Sequence, residues 1–294
     1  MRYDIQLTID YHYDAPSDHA RNILRLLPLE TPQQTVTARL LTVDPPPDER
    51  RDQQDFFGNA MTTVAWHQPV EKISFRLRAR AERHPQPVSD LSAPLADLAA
   101  DLEQAGLEPA SPLHFLGASP RIPPEAEITA FVRAALPPAP STRAAVEAIG
   151  RALHEVMTYD AEATDVGTTP QAAFALRRGV CQDFAQIMIA GLRALGIPAG
   201  YVSGFLRTYP PPGQPRLEGV DAMHAWVAAW CGAAQGWVEY DPTNAQWAGE
   251  DYITVAMGRD YADVAPVRGA LRSAGGQDST QAVDVIPLDT PTPG

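Results

Sequence analysis

An α+β fold is predicted by three features of this chain: alternating apolar residues within the first 83 positions, helical periodicity between about 94 and 195, and strand-like runs after that. Its 294 residues exceed the usual size of one domain. The expected order is an antiparallel β domain at 1–83, a proline-rich helical connector at 84–140, a core of helices packed on an antiparallel sheet at 141–287, and a disordered tail at 288–294.

The opening strand has the clearest pattern. Tyr3, Ile5, Leu7, Ile9, Tyr11 and Tyr13 share one side, while Asp4, Gln6, Thr8, Asp10 and His12 share the other, which is the signature of a half-buried strand. Further strands are expected at 22–27, 35–43, 61–66 and 73–79, separated by Pro45-Pro46-Pro47 and by the turn Phe57-Gly58-Asn59. In the connector, helices are expected at 94–104 and 124–136. Ser141 is a good N-cap for a longer helix carrying Val146, Ile149, Leu153 and Val156 at helical spacing.

Thr169-Pro170 opens the next helix, since proline is tolerated in the first turn where its missing N–H is not needed. Another begins at Cys181, with Phe184, Ile187, Met188, Gly191, Leu192 and Leu195 as its apolar stripe, and Gly196-Ile197-Pro198 stops it. Strands follow at 199–206, 223–230, 237–240 and 252–257, with a proline-rich loop between the first two.

Composition excludes some function classes. Hydrophobic residues are 45% of the chain, but no run approaches the roughly 18 apolar residues of a spanning helix, so no membrane partner is expected. Met1-Arg2-Tyr3-Asp4 does not begin a secretory signal, and the expected location is cytoplasmic. A net charge of -13, spread along the chain, repels phosphate backbones and argues against nucleic acid as a partner. The two cysteines, Cys181 and Cys231, lie 50 residues apart with no CxxC pair and no HxxxH spacing, so a metal site has little support.

Cys181 follows Gly179-Val180 and opens an apolar-striped helix, where the positive end of the helix dipole favours a thiolate. A lone cysteine is more often structural, but the helix start and flanking glycine point to a nucleophile. His224 opens one strand and Asp241 closes the next. With a turn at 231–234 they sit opposite each other; with a turn two residues longer they are diagonal neighbours. Either register places them on one face about 4.5 to 8 Å apart at their β-carbons, within reach of an imidazole–carboxylate bond that leaves the other ring nitrogen for the thiol. Trp226, Trp230 and Trp237 share that face. Trp226 is a candidate wall of a substrate groove, and Gln182 is a candidate substrate contact by adjacency to Cys181.

Gly179-Val180-Cys181-Gln182-Asp183-Phe184-Ala185, Leu195-Gly196-Ile197-Pro198-Ala199 and Val202-Ser203-Gly204 resemble the nucleophile helix and following strand of the bacterial transglutaminase-like family, within the papain-like cysteine protease superfamily. Asp221-Ala222-Met223-His224-Ala225-Trp226 and Gly236-Trp237-Val238-Glu239-Tyr240-Asp241-Pro242-Thr243-Asn244 are similar to its histidine and aspartate blocks. Residues 1 to about 83 resemble its N-terminal β domain, and Gly258-Arg259-Asp260-Tyr261-Ala262-Asp263-Val264 a segment typical of its bacterial members. Met223 departs from the small polar residue expected before the histidine.

The resemblance implies a papain-like helix-plus-sheet core with Cys181, His224 and Asp241 as a catalytic triad. It further implies hydrolysis of peptide or amide bonds in a peptide or protein substrate, through a thioester and with no cofactor. Transfer of the acyl group to an amine, or a catalytically silent binding module on the same scaffold, are the alternatives.

Overall fold

The computed structural model describes residues 1–84, 89–209, 219, 221–272 and 276–288, without the side chains of residues 16–19, 222, 271 and 272. The chain begins with five strands: β1 (Arg2–Leu24), β2 (Gln34–Asp44), β3 (Glu49–Gln54), β4 (Ala60–Ala65) and β5 (Val70–Arg83). Alternation in β1 puts Tyr3, Ile5, Leu7 and Ile9 in the core. Where sequence suggests two strands, at 3–13 and 22–27, the structure has one. Its pairing with β5 shifts register between His12 and Ser17, so the strand bends there without stopping. β3 is an addition to the expected set; every one of its side chains is polar, because it pairs only with β4 and its other edge meets solvent.

Helices α1 (Leu98–Leu102), α2 (Ala126–Ala135) and α3 (Thr142–Val156) follow. Ser141 caps α3 by accepting from Ala144 N at 3.1 Å. Then come β6 (Thr158–Tyr159), α4 (Pro170–Leu176), β7 (Arg178–Gly179) and α5 (Cys181–Ala194), with Thr169 capping α4 through Ala172 N at 3.2 Å. The second half of the core comprises β8 (Ala199–Leu206), β9 (Ala222–Trp230), β10 (Trp237–Asp241), β11 (Gln246–Trp247), β12 (Tyr252–Gly258) and α6 (Tyr261–Val264). These strands form an antiparallel sheet in the order β11-β10-β9-β8-β12. Helix α5 lies on β8 and β9, with α2, α3 and α4 packed around it. The whole is an α+β molecule with an N-terminal β region and a helix-on-sheet core.

The last strands, β13 (Val267–Arg272) and β14 (Gln277–Pro287), fall within the range assigned from sequence to the core, yet both pair with β1. Val283 and Val285 bury the inner side of β14. The expected disordered tail mostly lies outside the described residues, at 289–294; Leu288 N donates to Arg2 O at 2.8 Å. Of the expected proline-rich loop at 209–215, residues 210–215 also lie outside them.

Two buried amides join the halves. Gln34 donates to Thr254 O at 2.7 Å and accepts from Thr254 N at 2.9 Å, and Asn59 does the same with Met257, at 2.8 Å each way. Each side chain thus acts as a one-residue strand on the outer edge of β12, where Thr254 O also accepts from Leu29 N at 2.9 Å.

Candidate active site

Cys181 is the first residue of α5, half-buried and unbridged. Its position is set by Asp183, whose Oδ2 accepts from Val180 N at 2.8 Å and from Thr164 Oγ1 at 2.6 Å, tying the helix start to the preceding loop. Gly179 makes that closure possible, since a Cβ there would lie 2.5 Å from the same oxygen. The short parallel pairing of β6 with β7 brings Tyr159 beside Gly179. Tyr159 is exposed, and burial followed by the charge of Cys181 raises its hydroxyl above the usual phenol range.

The β9–β10 turn runs over residues 231–236, pairing Trp230 with Trp237, so the longer of the two registers holds and His224 is diagonal to Asp241. Across that diagonal His224 Nε2 lies 2.7 Å from Asp241 Oδ2. The other ring nitrogen is left for Cys181, which lies near enough for its charge to favour the imidazolium. The three residues expected to act together therefore meet at the junction of the α5 N-terminus with the open end of the hairpin.

Asp241 is fully buried and accepts five hydrogen bonds. Thr243 N and Asn244 N donate to Oδ1 at 2.8 and 3.3 Å; His224, Asn244 Nδ2 and Tyr252 OH donate to Oδ2 at 2.7, 2.7 and 2.8 Å. Burial alone would raise this carboxyl, but His224, Asn244 and Tyr252 outweigh it and hold the group below the ordinary carboxylate range. Burial likewise works against the His224 imidazolium. The hydrogen bonds and charges of Asp241 and Cys181 overcome it and push His224 up to about 10.

Asn244 and Tyr252 were given no role from sequence. Asn244 belongs to the aspartate block and its side chain reaches back only three residues. Tyr252 starts β12, at the far edge of the sheet, and crosses the face to Asp241, with Gln246 Nε2 donating to its hydroxyl at 2.7 Å. Nothing local in the sequence signals so long a reach.

The two residues proposed for substrate contact are placed differently from the triad. Trp226 is wholly buried, with its indole N–H on Glu239 Oε2 at 3.0 Å, and Gln182 is 8% exposed with its Nε2 shielded from solvent and without a partner. Neither faces outward. Cys231, at the hairpin turn, is buried and unbridged, and burial above all pushes its thiol up to about 12. Among the described residues no three His, Cys, Asp or Glu side chains gather as metal ligands would, and no helix is long and apolar enough to cross a membrane.

Comparison with known proteins agrees with this architecture. Residues 3–82 match the family described as bacterial transglutaminase-like N-terminal region, and residues 129–242 match the transglutaminase-like superfamily. An uncharacterized protein of Mycobacterium tuberculosis is 34% identical over 301 residues, covering 98% of this chain and 93% of that one. A protein-glutamine gamma-glutamyltransferase of Pseudomonas aeruginosa is 37% identical over 93 residues, which is 31% of this chain and 14% of the relative. The crystal structure of a Cytophaga hutchinsonii protein, provisionally named a cysteine protease, has the same fold: TM-score 0.77 at 23% identity, covering 100% of this chain and 92% of that one. Matched in both its N-terminal β region and its core, and by a relative over nearly its full length, the chain belongs to the bacterial transglutaminase-like family.

Proposed function

We propose that this chain is a cysteine-dependent hydrolase of peptide or amide bonds, working through a thioester on Cys181. The observation that carries the reading is the 2.7 Å bond between His224 and a buried Asp241 that is saturated with donors, with Cys181, at a helix start, near enough for its charge to favour the imidazolium. A surface His–Asp pair has no need of five hydrogen bonds to one carboxylate.

In the proposed cycle Cys181 Sγ attacks the amide carbonyl carbon. His224, as imidazolium, gives its proton to the departing amine as the C–N bond breaks. The neutral imidazole then takes a proton from water, whose oxygen attacks the thioester and expels Sγ as thiolate, restoring the ion pair. The Cys181 N–H, in the first turn and so lacking an intrahelical acceptor, is one donor to the developing oxyanion. Asp241 holds the ring in one tautomer throughout. No step calls for a cofactor.

Transfer of the acyl group to an amine instead of water is the second reading, favoured by the glutamyltransferase of Pseudomonas aeruginosa that matches 93 residues of this chain. A silent binding module fits less well, because all three triad positions are filled. We assign the work to the cytoplasm, where two unpaired thiols are stable. The test is turnover of a diverse library of peptide amides, with and without an added primary amine, read by product mass. Hydrolysed product lost in Cys181→Ala but retained with a chelator supports the hydrolase; amine adducts support transfer; no product of either kind from a folded enzyme defeats both.

A further inference from the structure

A buried relay runs from the N-terminal β region to the candidate catalytic histidine. We infer that Arg83, Glu239 and Trp226 are positioning residues for His224, so that the N-terminal region is a working part of the site; this rests on the hydrolase reading above. Arg83 ends β5. Its N–H donates to Met1 O at 2.8 Å and its carbonyl accepts from the Met1 amine at 2.7 Å, so the β sheet fixes where its side chain starts.

From there the guanidinium enters the face of the core sheet that carries His224. It is 0% exposed, and Nη2 donates to Glu239 Oε2 at 2.8 Å. That same oxygen accepts from the Trp226 indole at 3.0 Å. A single carboxylate oxygen thus joins the N-terminal region to a ring two residues from the histidine. Trp226 is itself wholly buried, and its ring stacks with His224 at 6.2 Å between centroids and 30° between planes.

Gly204 shows how closely the indole is seated. It is the register partner of His224, and a Cβ there would stand 2.4 Å from the indole rim and 2.1 Å from Ile253 O. The ring is therefore enclosed by β8 at one end and anchored through its N–H at the other. Hydrogen-bonded indole orientation then sets the surface against which the imidazole lies. Among the described residues, the charged or titratable groups in His224's own surroundings are Asp241 on β10, Cys181 on α5 and Tyr252 on β12, while Arg83 and Glu239 reach it through the indole. A catalytic base needs its supporting side chains locked as firmly as itself.

The choice of residues follows the same logic. An apolar side chain at 239 would leave the Arg83 charge buried without a carboxylate, with Thr254 Oγ1 at 3.4 Å on Nη1 and no acceptor on Nε. An exposed ion pair would hold the indole loosely. What this pair provides, with Arg83 fully buried and Glu239 13% exposed, is one orientation.

The test uses the full-length protein and two readouts that do not need the substrate: the NMR titration of His224 and the pH profile of Cys181 alkylation by iodoacetamide. Trp226→Phe keeps a ring but loses the anchoring N–H. Arg83→Met/Glu239→Leu removes both charges of the pair together, so that neither is stranded if single changes prevent folding. We expect both to lower the His224 titration midpoint by about one unit or more and to slow alkylation near pH 6 roughly tenfold, while Trp230→Phe, on the same strand but outside the relay, changes neither. A folded Trp226→Phe with both profiles unchanged would overturn the inference even if its melting point dropped. A wild type whose alkylation is indifferent to His224→Gln would remove the hydrolase reading and the relay with it.

Discussion

The two ends of the β9–β10 hairpin bury very different groups. At the open end, Asp241 is fully buried with both its oxygens occupied, its partner His224 is 9% exposed, and a half-exposed thiol stands beside them. At the turn, Cys231 is fully buried, its thiol donates to Ala229 O at 3.9 Å, and burial holds the proton on. Burial alone therefore disables a nucleophile. In the proposed cycle, burial of its partners with the thiol left partly open is what activates one.

The largest effects should fall on the two residues that exchange bonds or protons. Cys181→Ala and His224→Ala are expected to lower kcat by on the order of 10⁶, as loss of either exchanging member of a triad does; initial rates on any amide accepted by the wild type provide the check. A loss of less than tenfold for either would erase the contrast between the hairpin ends.

Asp241→Asn is expected to cost roughly 10⁴, less than the first pair. The reason is specific. Thr243 N and Asn244 N occupy Oδ1 and cannot turn, so the amide nitrogen is driven to the other side, where Tyr252 can rotate but the imidazole must change tautomer. The pH–rate profile should shift along with kcat. An Asp241→Asn enzyme of wild-type rate would show that the donors around the carboxylate serve the fold only.

A smaller effect is expected in stability against pH. Because His224 is raised to about 10 in the folded protein, against about 6.5 unfolded, its contribution is full below about 6.5 and is lost as pH rises through about 10. Asp241 is shifted the other way, so its contribution is present above the usual carboxylate range and is lost as pH falls through its lowered value. Urea midpoints of the wild type and His224→Gln should accordingly differ most near pH 6 and converge near pH 10. A gap that widens with pH would contradict the ion pair.

Cys231→Ser should matter least. Activity should stay within a few-fold, with a stability loss of about 1 kcal/mol from burying a hydroxyl where a thiol was. Inactivation of the wild type by a reducing agent would instead give the turn a function.

Much of the site was legible in the chain because its signals are local. Cys181 announces itself by opening a striped helix, and His224 and Asp241 by ending two strands of one hairpin, although only the structure decides between the two turn lengths. Asn244 lay within view but needed the Asp241 geometry to acquire a role. Tyr252 and Arg83 were illegible, since one crosses the sheet face and the other arrives 156 residues before its partner Glu239. The same distinction governs the fold. Periodicity marks β1 and α5, whereas β3 is wholly polar at an edge, and β14 is recognisable only once β1, at the other end of the chain, is there to pair with it.

The central claim is that Cys181 and His224 form one chemical unit. The most direct measurement is the rate of iodoacetamide alkylation at Cys181, followed by peptide mass from pH 4 to 10 in the wild type and in His224→Gln. A thiolate held by a protonated His224 should keep the wild type reactive at pH 6, with Cys231 unlabelled, and His224→Gln should lose that acid-side reactivity by at least about tenfold. Superimposable profiles for the two proteins, or equal labelling of Cys231, would contradict the account.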